Sequence, residues 1–256
     1  SINLTGFNTS KATNMMGMFY KDNKLTSIDV SSFDTSSAEN MSYMFASASN
    51  PGAMALTTID ISNFDTSNVT NMSTMFQRCE NLHTVILGDK FDTSNVTDFS
   101  FMFINCKKLI NIDGSKFNVN NAINMKNMFN QCNALTSLNI SNWNPSKCTD
   151  FGLTFNYCTS LTTLDFSNWN TDSAISFQAM FQGCELLNNI EKEYDLKAKI
   201  IAKLEYFNPA GSAKDRAAKY MLENKLIDIG RDTKIGDISF QKYKYFRNNK
   251  YYRHIK

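Results

Sequence analysis

The 256-residue sequence predicts an α/β repeat solenoid: about seven 26-residue coils, each a short strand plus a short helix or 3-10 segment, then a small α+β C-terminal cap or domain. Three observations predict it: a phrase written twice, matching residues in regular columns, and a break in composition near residue 190. The phrase "FDTSNVTNMSTMF" at 64–76 returns as "FDTSNVTDFSFMF" at 91–103. Equivalent lead aromatics stand at Phe7, Phe33, Phe64, Phe91, Phe117, Trp143 and Trp169, separated by 26, 31, 27, 26, 26 and 26 residues. Twelve residues after each comes a phenylalanine: Phe19, Phe45, Phe76, Phe103, Phe129, Phe155 and Phe181. Agreement in all seven units excludes chance, and a fixed period of this length is the signature of a repeat architecture.

The remaining columns define the elements of one coil. Eight after the lead aromatic stands Met or Phe (Met15, Met41, Met72, Phe99, Met125, Phe151, Phe177), and five after it a small or β-branched residue (Ala12, Ala38, Val69, Val96, Ala122, Cys148, Ala174). Leucine comes eighteen after it in six units (Leu25, Leu82, Leu109, Leu135, Leu161, Leu187); in the other, an insertion within "ASASNPGAMA" delays it to Leu56. Pro51 and Gly52 suit a surface turn in that insertion. Each leucine opens an L-x-x-L-x-L segment such as "LTTIDI", whose alternation predicts a short strand with one buried face. The segment "NVTNMSTMF" spaces its apolar residues for a short helix or 3-10 turn, with Asn14, Asn40, Asn71, Asp98, Asn124 and Asp150 placed to cap free amides. One such unit cannot bury its apolar side, whereas stacked units share one core.

Segments such as "MFQRCENLHTVIL" and "TFNYCTSLTTLDF" resemble the A-F-x-x-C-x-x-L-x-x-I-x-L pattern of BspA-like leucine-rich repeats. The 26-residue spacing and "FDTSNVTNMSTMF" are similar to the bacterial surface-protein repeat of that group, over residues 1–190. The resemblance implies a right-handed leucine-rich-repeat-like stack on an extracellular bacterial surface protein or lipoprotein, of a kind discussed as adhesins, with a concave sheet face. The unit from Phe117 departs from it: "FNVNNAINM" replaces "FDTSNVTNM", and in the strand before it Gly114 replaces an apolar residue, which predicts local irregularity.

Net charge is +2, unevenly placed: residues 1–190 carry −5 and residues 191–256 carry +7, so a boundary falls near Ile190. No run of 18 apolar residues offers a membrane span. "SINLTGF" aligns with "TSIDVSSF", so the chain starts inside a strand; we expect it to continue a longer array, with its anchor or signal N-terminal to this point. Five of six cysteines (Cys79, Cys106, Cys132, Cys158, Cys184) share one column, and strand-like spacing between coils exceeds the Cβ separation a disulfide needs. They read as buried free thiols packing as small hydrophobes.

After Glu191 the pattern changes. "EKEYDLKAKIIAKLEYF" and "AKDRAAKYMLENKLIDIG" predict two helices, with Ser212 as N-cap and Gly230 near the stop. "ISFQKYKYFRNNKYYRHIK" predicts a hairpin turning at Asn248 and Asn249. Its patch of Lys242, Lys244, Arg247, Lys250 and Arg253 interleaves with tyrosines. The preferred reading is an aromatic-faced hairpin with a solvated basic face, ahead of attraction to an acidic partner such as teichoic acid or lipid headgroups, and ahead of nucleic acid.

Motifs for chemistry are sparse. Cys79 and His83 have nucleophile-like spacing, but Cys79 belongs to a core column whose other members have no histidine. No catalytic residue, metal site or cofactor is expected. The candidate ligand-binding residues lie on the sheet face: Thr26, Asp29, Thr57, Asp60, His83, Ile86, Asn111, Asp113, Asn139 and Asp165. Stacked carboxylates there repel and would welcome a cation or basic ligand, with solvated carboxylates the plainer reading. Thr84, Thr136 and Thr163 extend this polar face. The expected function is a non-enzymatic adhesion module taking a protein or glycan ligand, of host or neighbouring-cell origin. The alternatives are a recognition or delivery stalk for a basic C-terminal effector, and a structural spacer or assembly component.

Overall fold

The computed structural model describes residues 2–4, 6–47 and 54–187. The expectations for residues 191–256, including both tail helices and the hairpin, fall outside the described residues. Within them the apolar columns organise everything else. The seven phenylalanines of slot 12, counting from each lead aromatic, form one pile of rings with centroids 5.2–5.9 Å apart and planes within 13° of parallel. None is more than 7% exposed. Offset stacking at this spacing adds to the area term of burial. The slot 18 leucines and the slot 11 methionines Met44, Met75, Met102, Met128 and Met180 line the same core. Parallel bridges Asn14↔Asn40, Asn40↔Asn71, Asn71↔Asp98, Asp98↔Asn124, Asn124↔Asp150 and Asp150↔Ser176 run through all seven units. Successive units are therefore neighbours in sequence order.

The segment expected as a short helix or 3-10 turn is a ribbon of overlapping turns. In the unit from Phe64, the amides of Met75, Gln77 and Cys79 bond back to the carbonyls of Met72, Thr74 and Phe76. The amides between them reach forward: Met72, Thr74, Phe76 and Arg78 donate to Asp98, Ser100, Met102 and Ile104 of the next coil. Thr74 (φ 64°) and Arg78 (φ 58°) occupy the left-handed region. A positive φ at the third turn residue is what a type II turn requires. The same two slots, 10 and 14, are left-handed in every unit except at Ser47, and eleven of these thirteen residues are not glycine. Each costs roughly 1–2 kcal/mol of local strain. The interleaved forward bonds satisfy amides and carbonyls that would otherwise be orphaned in the core, which is why the ribbon prevails over a helix.

The expected strands are regular in two units, β1 (Thr58–Ile61) and β2 (Thr84–Leu87), paired in parallel with Thr58 opposite Thr84 and Asp60 opposite Ile86. Other units keep the alternation without the ladder; Leu138 and Ile140 are buried while Ser137 and Asn139 are exposed. Their backbones meet at one early point, as where Thr136 donates to Ile110 and Thr162 to Thr136. The irregularity expected at Gly114 is a 3-10 turn, Gly114–Lys116, the only helix among the described residues. A Cβ at Gly114 would stand 2.1 Å from the Asn139 carbonyl oxygen, so the coil above approaches too closely for a side chain.

The polar letters of the repeated phrase each hold a coil. Asp65 Oδ1 accepts from the Ser67 amide and hydroxyl, an Asx turn. Asn71 Oδ1 accepts from the Ser73 amide, and its five counterparts do likewise. They cap a turn two residues on, not a helix. The buried hydroxyls of Thr9, Thr35, Thr66 and Thr93 donate to the carbonyl of Asp34, Asp65, Asp92 or Asn118 in the next coil and accept the same residue's amide, all at 2.7–3.0 Å. Asn68, Asn95 and Asn121 reach back to the serine carbonyls of the preceding coil.

Each column cysteine points its Sγ at the slot 12 carbonyl one coil earlier: Cys79 to Phe45, Cys106 to Phe76, Cys132 to Phe103, Cys158 to Phe129 and Cys184 to Phe155, at 2.9–3.2 Å. All six cysteines are free and buried. Burial pushes every thiol up, Cys148 and Cys184 to about 12. Thiolate, the reactive form, is thereby suppressed.

Two outcomes follow. Thr66→Val strands an amide and a carbonyl of Asp92 and is expected to cost about 1–3 kcal/mol in urea unfolding, with Thr66→Ser retaining most of the stability. Ellman's reagent is expected to leave the native protein untouched and to titrate all six thiols once it is denatured; prompt reaction of any native thiol would refute the burial.

Candidate binding face

The outward positions of β1 are Thr58 and Asp60, and those of β2 are Thr84 and Ile86. Carried along the stack, the slot 22 column is Asp29, Asp60, Ile86, Asp113, Asn139 and Asp165. Its companion in slot 20 is Ser27, Thr58, Thr84, Asn111, Ser137 and Thr163. Asp29, Asp60, Asn111, Asp113 and Asn139 are exposed and Asp165 half-buried. Thr26 and Thr57 are exposed and His83 half-buried, but they stand one residue earlier, in slot 19 with Ile110, Thr136 and Thr162. The threonine row of the sequence expectation therefore joins two columns: Thr84 and Thr163 belong to one, and Thr26, Thr57 and Thr136 to the other.

The slot 19 column serves the stack. The Thr57 carbonyl accepts from the amides of His83 and Thr84, and His83 in turn accepts from Ile110. The hydroxyls of Thr136 and Thr162 bond to carbonyls of Ile110 and Thr136.

The carboxylates of slot 22 are engaged as well. Asp29, Asp60, Asp113, Asn139 and Asp165 each present Oδ1 to the amide of the serine two residues on: Ser31, Ser62, Ser115, Ser141 and Ser167. Ser62, first through its hydroxyl and then its amide, holds the Asp60 carboxyl below the usual range although Asp29 pushes the other way. Ser31 does the same for Asp29. At Asp29 and Asp60 local capping thus outweighs the repulsion between the two carboxylates. Among the described residues, no group of three or more His, Cys, Asp or Glu side chains could hold a metal ion. The missed signal was a spacing: Asp or Asn followed two residues later by Ser recurs in this column and again after the lead aromatic.

Two exposed apolar side chains break the polar surface, Ile86 at 42% and Ile110 at 47% exposure. They sit on successive coils, Ile86 in slot 22 and Ile110 in slot 19 of the coil that carries Asp113. The basic patch of Lys242, Lys244, Arg247, Lys250 and Arg253 lies outside the described residues, and no described helix is long and apolar enough to cross a membrane.

The same Asx geometry predicts acid sensitivity. Ser36 and Ser67, hydroxyl first and amide second, hold Asp34 and Asp65 below the ordinary carboxylate range. A carboxyl lowered on folding contributes stability that is complete above its unfolded value, about 3.9, and is lost as pH falls through the folded value. Asn118 and Asn170 already make the same turn in other coils. The double variant Asp34→Asn, Asp65→Asn keeps the turn but not the charge, so it is expected to melt somewhat below the parent near neutrality and to converge with it below about pH 4, read from thermal unfolding across a pH series.

The chain matches the family described as "Mycoplasma protein of unknown function, DUF285" in four overlapping stretches, residues 1–86, 50–155, 85–194 and 110–220. No curated protein and no solved structure matches it. The staggered, overlapping matches agree with the periodicity of the sequence. The chain is a repeat protein and belongs to this family of Mycoplasma proteins of unknown function.

Proposed function

We propose that the protein is a non-enzymatic binding module, displayed outside the cell, that recognises a protein or glycan through the outward columns of its stack. A right-handed solenoid of the BspA-like leucine-rich type is the fold we assign to it. One observation carries the reading: the repeated polar side chains are spent on holding coils together, while the outward positions change from coil to coil. Thr58, Thr84, Asn111, Ser137 and Thr163 follow one another in slot 20, and slot 22 passes from Asp60 to Ile86 to Asp113. A rigid surface with a polar rim and the apolar pair Ile86 and Ile110 offers the mixed contacts that recognition uses. The column thiols, buried and raised by desolvation, are poor nucleophiles, which favours recognition over bond chemistry.

Testing separates the face from the fold. Asp29→Asn, Asp60→Asn and Asp165→Asn remove charge while keeping an oxygen for the serine caps, and Ile86→Lys disturbs the apolar pair. On glycan arrays and in pull-downs from cell-surface extracts, the combined variant is expected to lose the ligand retained by the parent while melting at the same temperature. Retention unchanged by all four substitutions would move the site off this face.

A further inference from the structure

The outward face carries charge of one sign. Slots 19, 20 and 22 hold Asp29, Asp60, Asp113 and Asp165, and in none of these coils do they hold a lysine or arginine. Two lysines that flank the face are engaged elsewhere, Lys108 on Asn81 Oδ1 and Lys116 on Asp89, each at 2.9 Å. The serine caps occupy Oδ1 of all four carboxylates, and no donor among the described residues takes Oδ2. Beside Asp60 and Asp113 stand the exposed Ile86 and Ile110.

The complementary chemistry lies in the same chain. Residues 238–256, "ISFQKYKYFRNNKYYRHIK", carry six Lys or Arg, six Phe or Tyr, and no Asp or Glu. Side chains of an extended chain face the same way at every second residue, which would set Phe240, Lys242, Lys244 and Phe246 together. Such a mixture of rings and cations matches a face of carboxylates and isoleucines. Reach is ample. From Asp29 to Asp165 the face spans five coil steps, about 24 Å at strand spacing. The chain from Lys242 to Arg253 covers about 40 Å when extended, and 54 residues lie between Leu187 and Lys242.

We propose that segment 238–256 docks across the outward face of its own chain. Its Lys and Arg lie against Asp29, Asp60, Asp113 and Asp165, and its rings lie on Ile86 and Ile110. Tethering favours this occupant over a separate cationic partner, because a linked segment meets the face at a fixed effective concentration however dilute the protein. Anionic polymers are repelled by the same carboxylates. A ligand of the face must then displace the segment; that consequence rests on the ligand reading above, and the contact itself does not.

Carbodiimide coupling, which joins a lysine amine to a carboxylate it touches, tests the contact on the full 256-residue chain with no ligand present. Peptide mapping at low salt is expected to find Lys242, Lys244 or Lys250 joined to Asp29, Asp60, Asp113 or Asp165. In about 1 M salt, where screening is near 3 Å, those links are expected to be lost. Ile86→Lys keeps all four carboxylates but sets a cation among them; it is expected to lose most of the links while melting like the parent. Coupling chiefly to acids elsewhere, such as Asp34, Asp92 or Asp172, overturns the proposal. So does the absence of any link, or a pattern unchanged by salt or by Ile86→Lys. Mixing isotope-labelled with unlabelled protein is expected to give links within one isotope only; mixed pairs would place the segment on a second copy and overturn docking within the chain. Should Ile86→Lys melt early, the coupled positions and their salt dependence still decide.

Discussion

Register between coils rests on the forward hydrogen bonds of the ribbon. A stack of Phe, Met and Leu is non-directional, and apolar burial alone would tolerate a slip of one coil against the next. Four amides per junction, each with its own carbonyl, do not. They fix which residue lies above which, and the ring pile, the thiol column and the hydroxyl bridges then fall into line. The strain at slots 10 and 14 is the cost of aiming those amides forward, and neighbouring coils offset it together. A coil alone would have no reason to hold it.

This division of labour bears on function. In most domains a conspicuous run of Asp, Asn, Ser and Thr invites a search for ligands. Here the run is accounted for by Asx turns and by hydroxyls bonded to the next coil's backbone. The side chains with least structural work are those on which the coils disagree, and that is where recognition is best sought. Ile86 and Ile110 are the clearest of these, because neither burial nor hydrogen bonding accounts for an apolar side chain there.

The core was almost wholly legible in the sequence, because columns twelve, eight, five and eighteen residues from the lead aromatic are defined by size and apolarity alone. Phe76 and Phe103 lie in the pile where the period put them. The ribbon was not legible. Left-handed backbone is usually announced by glycine, yet these slots hold Lys21, Tyr43, Thr74, Arg78 and Phe101. Their conformation is imposed by the coil alongside, and a helix-like spacing of Met and Phe fits either structure. The outward placement of Asp29, Asp60 and Asp113 follows from the strand alternation, whereas the serine amide two residues on that each Oδ1 accepts was not legible. Only Asp-x-Ser spacing, read as a turn signal, separates a capped carboxylate from a waiting one.

The hydroxyl bridges also make the rod uneven. They join the first five units, but Val119 and Pro145 occupy the same slot further on, so the junctions from Phe117 to Trp143 and from Trp143 to Trp169 lack them. Other side chains take their place, at the first of these junctions the indole N–H of Trp143 on the Gly114 carbonyl, Asn142 on Ser115, Lys147 on Asn121 and Thr154 on Met125. The side chains that tie coils together therefore change along the stack, while the four backbone bonds at each junction do not. A coil can thus lose its threonine without losing its neighbour, which lets single units drift in sequence while the backbone register between them is kept.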